Sequence, residues 1–286
     1  MSKKEFFINV LQVSIYMIEN RVKKTIEKYN LLKKDDKIVV ALSGGKDSTS
    51  VLYILHKLGY NVSGLMIDLK LGKWSEMHKK NMKKFCKELG VHLEVVDLRE
   101  ELGAGICFIK QAVKERKNLT GCSVCGIIKK YILNKWAKKL NADKIATGHN
   151  LDDECQNVLM NFLKGNILLG IGSLPITESC RNFVQRIKPL FFIPENEIRE
   201  YAKKMKFDIS YEKCPCAFGT YRVEMRNWMS FLTDKEKMRI VSEFQKIIPE
   251  LRREHRSEIK ECRICGEPSR KEVCNACKVL ECLKES

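Results

Sequence analysis

Apolar positions along the chain recur at two periods, and the two alternate. Residues 5–28 place Phe6, Val10, Leu11, Ile15, Ile18, Val22 and Ile26 at three- and four-residue spacing, which predicts one amphipathic helix. Lys37–Leu42 is a short β-branched run, and Ser48–Leu58 then carries Val51, Leu52, Leu55 and Leu58 on one helical face. Val62–Asp68 reads as a strand, Ser75–Leu89 as a helix and Val91–Val96 as a strand. Gly103–Thr120 is less regular. Ile127–Leu140 is helical again, Asp143–Thr147 a strand, and Leu151–Leu163 and Glu195–Met205 are helices. Helical patterning returns over Val223–Ile248. Strands and helices in this alternation predict an α/β fold, a doubly wound parallel sheet covered on both faces. Arg252–Lys260 is charged without an apolar pattern and reads as a linker. The chain thus divides into an N-terminal helical segment (1–34), a main α/β domain (35–255) and a small C-terminal module (256–286).

Composition narrows the function classes. A chain of 286 residues can bury one substantial core and a small satellite. No stretch is apolar for the length a bilayer needs, and the lysine-dotted N-terminus lacks a signal-peptide profile, so a soluble cytosolic protein without membrane contact is expected. Thiols stay reduced there, which makes paired cysteines metal ligands before disulfides. The formal charge of +17, from 53 Lys and Arg against 36 Asp and Glu, suits a polyanionic partner such as nucleic acid, or simply a solvated lysine-rich surface.

The chemistry begins at Ala41-Leu42-Ser43-Gly44-Gly45-Lys46-Asp47-Ser48. A Walker A loop would need a glycine where Val40 stands and a hydroxyl where Asp47 stands, so this is a different phosphate loop. A strand, a Gly-Gly turn and a helix N-terminus aim backbone N–H groups at an anion, with the helix dipole assisting. Ser43 and Ser48 add hydroxyls and Lys46 a positive charge. Asn150 reads as a helix N-cap followed by Asp152, Asp153 and Glu154 in the first turn. His149 reads as a nucleotide-side or structural residue.

The thirteen cysteines fall into distinct groups. Cys262-x-x-Cys265 and Cys274-x-x-Cys277, with Gly266 and Pro268 to turn the chain, suit a closed tetrahedral zinc site that staples a short tail. Nearby Arg263, Arg270 and Lys271 are solvated surface or RNA contacts. Cys122-x-x-Cys125 has no second pair close in sequence, and Cys214 and Cys216 are the downstream candidates. Three thiolates would leave one coordination position open, whereas use of both Cys214 and Cys216 would make a second structural zinc site. Cys86, Cys107, Cys155, Cys180 and Cys282 read as small hydrophobes.

Ser43–Ser48 is the signature of the PP-loop ATP pyrophosphatases, which this chain resembles. Gly121–Gly126, Gly148–Glu154, Arg186–Leu190 and Cys214-Pro215 occur in the same order in the TtuA- and TtcA-type tRNA 2-thiolation enzymes, over about residues 35–235. The cysteine-rich tail makes it most similar to the archaeal and thermophile TtuA branch. The resemblance implies that ATP with Mg2+ is held by Ala41, Ser43, Gly44, Gly45, Lys46, Asp47, Ser48, Ile67, Lys129, Gly148 and Asp153. Ile67 would hold the adenine through its backbone, although the histidine common after the neighbouring aspartate is missing from Leu69–Gly72. It implies that Lys129 and Asp153 act in catalysis, and that Cys122, Cys125 and Cys214 carry a [4Fe–4S] cluster whose fourth iron takes sulfide, with Cys216 a spectator thiol or a fourth ligand.

By that resemblance the chain is expected to adenylate the C2 oxygen of a tRNA uridine and replace it with sulfur, supplied as sulfide or by a ubiquitin-like thiocarboxylate carrier. A homodimer is among the assemblies it allows. Alternatives are a PP-loop amidotransferase or lysidine-type synthetase, or a non-catalytic RNA-binding or iron–sulfur sensor protein. TtuA-type chains usually begin with a further cysteine-rich zinc module. Residues 1–34 contain no cysteine, and the N-terminal helix is expected to serve as a packing element in its place.

Overall fold

A computed structural model describes residues 3–116, 121–212, 214–216, 221–254 and 259–284. Five strands, Lys37–Leu42 (β1), Asn61–Asp68 (β2), Leu93–Asp97 (β3), Lys144–Ala146 (β4) and Gln185–Ile187 (β5), form a parallel sheet in the order β3-β2-β1-β4-β5. β1 is central: Ile38 is opposite Val62 on one side and Lys144 on the other. That position explains why its sequence is apolar from Ile38 to Leu42, since a parallel strand covered on both faces has no polar side. Its alternate residues divide between two cores. Ile38, Val40 and Leu42 pack with Ile18, Val22, Ile26, Leu52 and Ile198, while Val39 packs with Leu65, Val96, Ile109, Ile128 and Val279.

The helices are Lys3–Lys28 (α1), Lys46–Lys57 (α2), Lys73–Leu89 (α3), Leu98–Leu102 (α4), Ile106–Arg116 (α5), Gly121–Lys139 (α6), Leu151–Leu163 (α7), Glu195–Lys204 (α8), Tyr221–Trp228 (α9), Asp234–Glu254 (α10) and Asn275–Lys284 (α11). α1, α2, α3 and α8 contribute to the first core, and α5, α6 and α11 to the second. α1 is also tied by polar contacts. Tyr201 Oη donates to Glu19 Oε1 at 2.9 Å, and Arg21 donates to the Phe192 carbonyl at 2.9 Å. A hairpin of Lys260–Glu261 (β6) and Pro268–Ser269 (β7) precedes α11.

The chain order changes direction at β1 and β4, whose successor helices lie beyond their C-terminal ends. In doubly wound sheets that crevice is where ligands bind. It also receives the N-terminus of α6, because a helix leading into a parallel strand runs antiparallel to it.

Several predicted boundaries move. The Gly103–Thr120 stretch contains α5; Ile106, Ile109 and Val113 are helically spaced, but Gly103 and Gly105 just ahead of them obscure the pattern. Residues 117–120 of that stretch lie outside the described residues. α6 begins at Gly121, so the first cysteine pair is helical. The Val223–Ile248 pattern splits into α9 and α10 because Thr233 starts a new helix: its N–H donates to Glu236 Oε2 at 2.7 Å while its hydroxyl accepts from the Glu236 N–H at 3.3 Å. β5 has no counterpart among the predicted strands, being three residues long and opening on Gln185-Arg186. α10 extends to Glu254, into the expected linker, of which residues 255–258 lie outside the described residues. Among the described residues, no helix is long and apolar enough to cross a membrane.

Candidate active site

The phosphate loop joins β1 to α2. Gly44 adopts φ +82°, and a side chain there would run into the His78 ring. Gly148 is needed for a different reason. A Cβ on it would lie 2.7 Å from the Ser48 nitrogen, so only glycine lets the segment after β4 approach the start of α2 this closely. Gly45 is required by neither condition. Its φ is −95°, and the nearest atom to an added Cβ is Ser43 Oγ at 3.7 Å. It is the N-cap of α2 and offers no side-chain cap. The first-turn N–H groups have no intrahelical acceptor by geometry, so bare backbone is left for an anion. Ser48 Oγ accepts from the Ser43 N–H at 3.2 Å and lies 3.3 Å from Ser43 Oγ, which fixes the curl of the loop.

Lys46 differs from the sequence expectation of a cation offered to phosphate. It is buried, and its Nζ donates to Glu195 Oε1 at 2.8 Å and to Asp47 Oδ2 at 2.9 Å. Burial works against its charge, but the two carboxylates outweigh it and raise its pKa. Glu195 carries no signal in the sequence, because its place in the first turn of α8 matches ordinary helix-start acidity.

Asn150 joins two helix starts. Its Oδ1 accepts from the Asp153 N–H at 3.1 Å and its Nδ2 donates to Asp47 Oδ1 at 3.1 Å, with a capping box completed by Asp153. Asp47 and Asp153 therefore face one crevice, and each has a raised pKa; burial is the first cause for both, and Asp153 adds repulsion at Asp47. Arg226 of α9 donates to Asp153 Oδ1 at 3.1 Å. The neighbouring acids are otherwise engaged: Asp152 with Lys237 at 2.7 Å, and Glu154 with Lys188 at 2.7 Å.

A cationic wall adjoins them. Lys130, Arg186, Lys188 and Arg222 are close enough that the last three lower the pKa of Lys130, after burial. Burial and then Lys188 depress His149 to about 4, and its Nδ1 lies 2.9 Å from Thr147 Oγ1. His149 and Lys130 keep accessible surface while protein surrounds most of each side chain, which describes the wall of a deep cleft. Arg186 and Lys188 belonged to a sequence motif without a physical role; the cleft supplies one.

The cysteines stand at the same edge of the sheet. Cys122 and Cys125 occupy the first turn of α6, and Cys214 comes close enough that its charge acts on Cys125. Burial pushes the Cys125 thiol up, with Lys129 and Lys110 pulling it down. Lys129 is thus a neighbour of the cysteines. The three do not gather as tightly as ligands of a single ion, whereas a four-iron cluster spreads its thiolates wider. Cys216 turns toward α5, with its Sγ 4.0 Å from Cys107 Sγ. Cys107 is exposed, contrary to its reading as a small hydrophobe; Cys86, Cys155 and Cys282 are buried. Ile67 lies at the C-terminal end of β2, opposite Val96. A histidine does reach the loop, but it is His78 from α3, which sequence spacing from Asp68 did not suggest.

In the tail the Sγ atoms of Cys262, Cys265, Cys274 and Cys277 lie within 4.8 Å of one another. The Cys262–Cys277 and Cys265–Cys274 separations are 3.8 and 3.7 Å. Metal–sulfur bonds of about 2.3 Å in a tetrahedron require sulfurs ~3.8 Å apart. Backbone N–H groups of Cys274 and Cys277 donate to Cys262 and Cys274 sulfur, so the knuckles are arranged for thiolate. The donor set fits zinc.

Comparison with known proteins agrees with this geometry. A PP-loop domain family matches residues 16–213. The tRNA-5-methyluridine(54) 2-sulfurtransferase of Pyrococcus horikoshii is 39% identical over 274 residues, covering 93% of this chain and 86% of the relative. The enzyme of the same name from Thermus thermophilus is 32% identical, over 90% of this chain and 80% of its own length. Among solved structures, the U34-tRNA thiolase NcsA from Methanococcus maripaludis with its [4Fe–4S] cluster superimposes with a TM-score of 0.80 at 29% identity, covering 95% of this chain and 88% of that one. With the phosphate loop at the β1/β4 crevice and a cysteine group beside it, the chain belongs to the PP-loop family, in its tRNA 2-thiolation branch.

Proposed function

We propose that the protein is an ATP-dependent tRNA 2-thiouridine synthetase. The observation that carries this reading is that one sheet edge holds both an anion cradle at Gly45 and a wide group of three cysteines, with Lys130, Arg186, Lys188 and Arg222 in the same cleft. An enzyme that only adenylates needs the first feature and not the second. A polyanion fits the cation cluster, in which Glu154 already holds Lys188 and the neighbouring cations repel Lys130.

In this reading Ser43–Ser48 and Gly148 hold the triphosphate of ATP. Asp47 and Asp153 are the carboxylates available to Mg2+, since Asn150 holds both at the one crevice where the two helices start. The uridine C2 oxygen attacks the α-phosphorus and pyrophosphate leaves. Sulfide then attacks C2 and AMP leaves, so ATP supplies the leaving group. Cys122, Cys125 and Cys214 would hold a [4Fe–4S] cluster, which when bound supplies an iron with a position free for sulfide. Lys129, beside Cys125, keeps positive charge near the arriving sulfur and the departing phosphates. Cys216 faces Cys107, which supports the three-ligand reading over a second zinc site. Zinc on the tail cysteines anchors α11. The sulfide arrives free or from a thiocarboxylate carrier.

The test is an anaerobic assay of the cluster-loaded protein with α-labelled ATP, sulfide and tRNA transcripts. AMP and pyrophosphate should form in step with one added sulfur, and nuclease mapping should place it at a single uridine, 34 or 54. Formation of ADP and phosphate would rule out adenylation, and release of AMP without sulfur uptake would favour the amidotransferase or lysidine-type reading.

A further inference from the structure

Cys107 and Cys216 are used by neither the phosphate loop nor the three-cysteine group, yet the fold brings them together from 109 positions apart. Cys107 occupies the first turn of α5, and the Ile106 N–H donates to the Leu69 carbonyl at 3.3 Å, which fixes that turn near the end of β2. Cys107 is exposed, so it fills no core. Its sulfur is 4.0 Å from that of Cys216, which is two residues from Cys214. Lys110, one turn further along α5, lies near Cys216, and the charges of Cys125 and Cys122 act on it as well. An added Cβ on Gly121 would lie 3.3 Å from Lys110 Cε, so this side chain stands against the start of α6. The thiol pair and the lysine therefore stand beside the three-cysteine group.

We propose that Cys107 and Cys216 are a sulfur-accepting dithiol that converts the outer sulfur of a persulfide donor into sulfide beside Cys122, Cys125 and Cys214. The exposed Cys107 thiolate attacks the outer sulfur of a persulfide R–S–SH; the donor leaves as its thiolate and Cys107 becomes Cys107–S–SH. Cys216 then attacks the inner sulfur of Cys107. The Cys107–Cys216 disulfide forms and HS− departs, with Lys110 next to the anion as it leaves. The transferred sulfur gains two electrons and the two cysteines lose them; a dithiol reductant of the dithiothreitol or thioredoxin class restores both thiols. Closing the pair needs the sulfurs to approach from 4.0 Å to about 2.05 Å. Attack of thiolate on such a sulfur–sulfur bond is ordinary exchange chemistry. The fate of the sulfide rests on the thiolation reading; its formation does not.

Cluster-loaded full-length protein is mixed anaerobically with glutathione persulfide, without ATP, tRNA or reductant. The outer persulfide sulfur carries a 34S label, so that the sulfide it yields is counted apart from the cluster's own by mass spectrometry, and the cysteines are read by fragment mass spectrometry. The wild type should release about one sulfide per chain and acquire a Cys107–Cys216 disulfide. Cys216→Ser should retain one extra sulfur on Cys107 and release at least about tenfold less sulfide, and Cys107→Ser should neither retain nor release it. Thermal melting confirms that both variants are folded. Wild-type sulfide release by Cys216→Ser, or a disulfide that joins Cys216 to Cys214 instead, would overturn the proposal. Since neither ATP nor tRNA is present, failure here leaves the thiolation reading standing, and failure of thiolation leaves this result standing.

Discussion

Gly45→Ala separates what the loop needs for folding from what it needs for its ligand. In the protein alone the new methyl group meets nothing closer than 3.7 Å, and φ of −95° is comfortable for alanine. Alanine is a poorer N-cap than glycine by roughly 0.5–1 kcal/mol, but it lowers the entropy of the unfolded chain by about 0.4–1 kcal/mol. The two nearly cancel, so Tm should move by no more than ~3 °C. Binding should respond differently, because the methyl group enters the space over the first turn of α2. Loss of two hydrogen bonds to a charged phosphate, at about 1.5–3 kcal/mol each, costs ~3–6 kcal/mol, or ~10²–10⁴-fold in Kd. Gly148→Ala is the counterpart. Its Cβ would sit 2.7 Å from backbone nitrogen, which cannot rotate away, and overpacking of this kind costs about 1–3 kcal/mol of stability. Calorimetric titration with Mg·ATP and thermal melting of both variants make the comparison. Wild-type ATP affinity in Gly45→Ala, or a loss of Tm in it as large as in Gly148→Ala, would refute the reasoning.

Lys46→Ala leaves Asp47 and Glu195 without their shared cation, so it should cost about 3 kcal/mol of stability as well as ATP binding, and adding Glu195→Gln should recover part of the stability in urea unfolding. His149 should titrate near 4 by NMR, far below its ordinary 6.5. Its unfolded form binds a proton first as pH falls, so the stability it contributes is present above about 6.5 and lost toward 4; His149→Gln should flatten that part of the stability–pH curve. Iron should be lost from Cys122→Ala, Cys125→Ala and Cys214→Ala but kept by Cys216→Ala in anaerobic metal analysis, and equal dependence on Cys216 would remove the open coordination position. Intact protein should hold about one zinc, and chelation should raise hydrogen exchange in α11 before the sheet, because Val279 and Cys282 then lose their anchor against the second core.

Local chemistry determined much of this protein from sequence alone. The β-branched run at β1, the Gly-Gly turn and the Asn150 cap act over a few residues, so their consequences are written in adjacent letters. The four tail cysteines were legible for the same reason, since two knuckles at close spacing leave one arrangement for a tetrahedral ion. Neighbourhood across the sheet could not be read. Lys46 looked like a free cation because its partner Glu195 is 149 positions away. Cys107 looked like a small hydrophobe because Cys216 reaches it only after α5 has been laid against the second core. His78 gave no sign of touching Gly44, and the requirement for glycine at 148 depends on the helix start it approaches. Sequence periodicity reports which face a residue takes. The parallel crossovers decide what stands opposite that face, because they gather the ends of β1, β2 and β4 and the start of α6 at one edge.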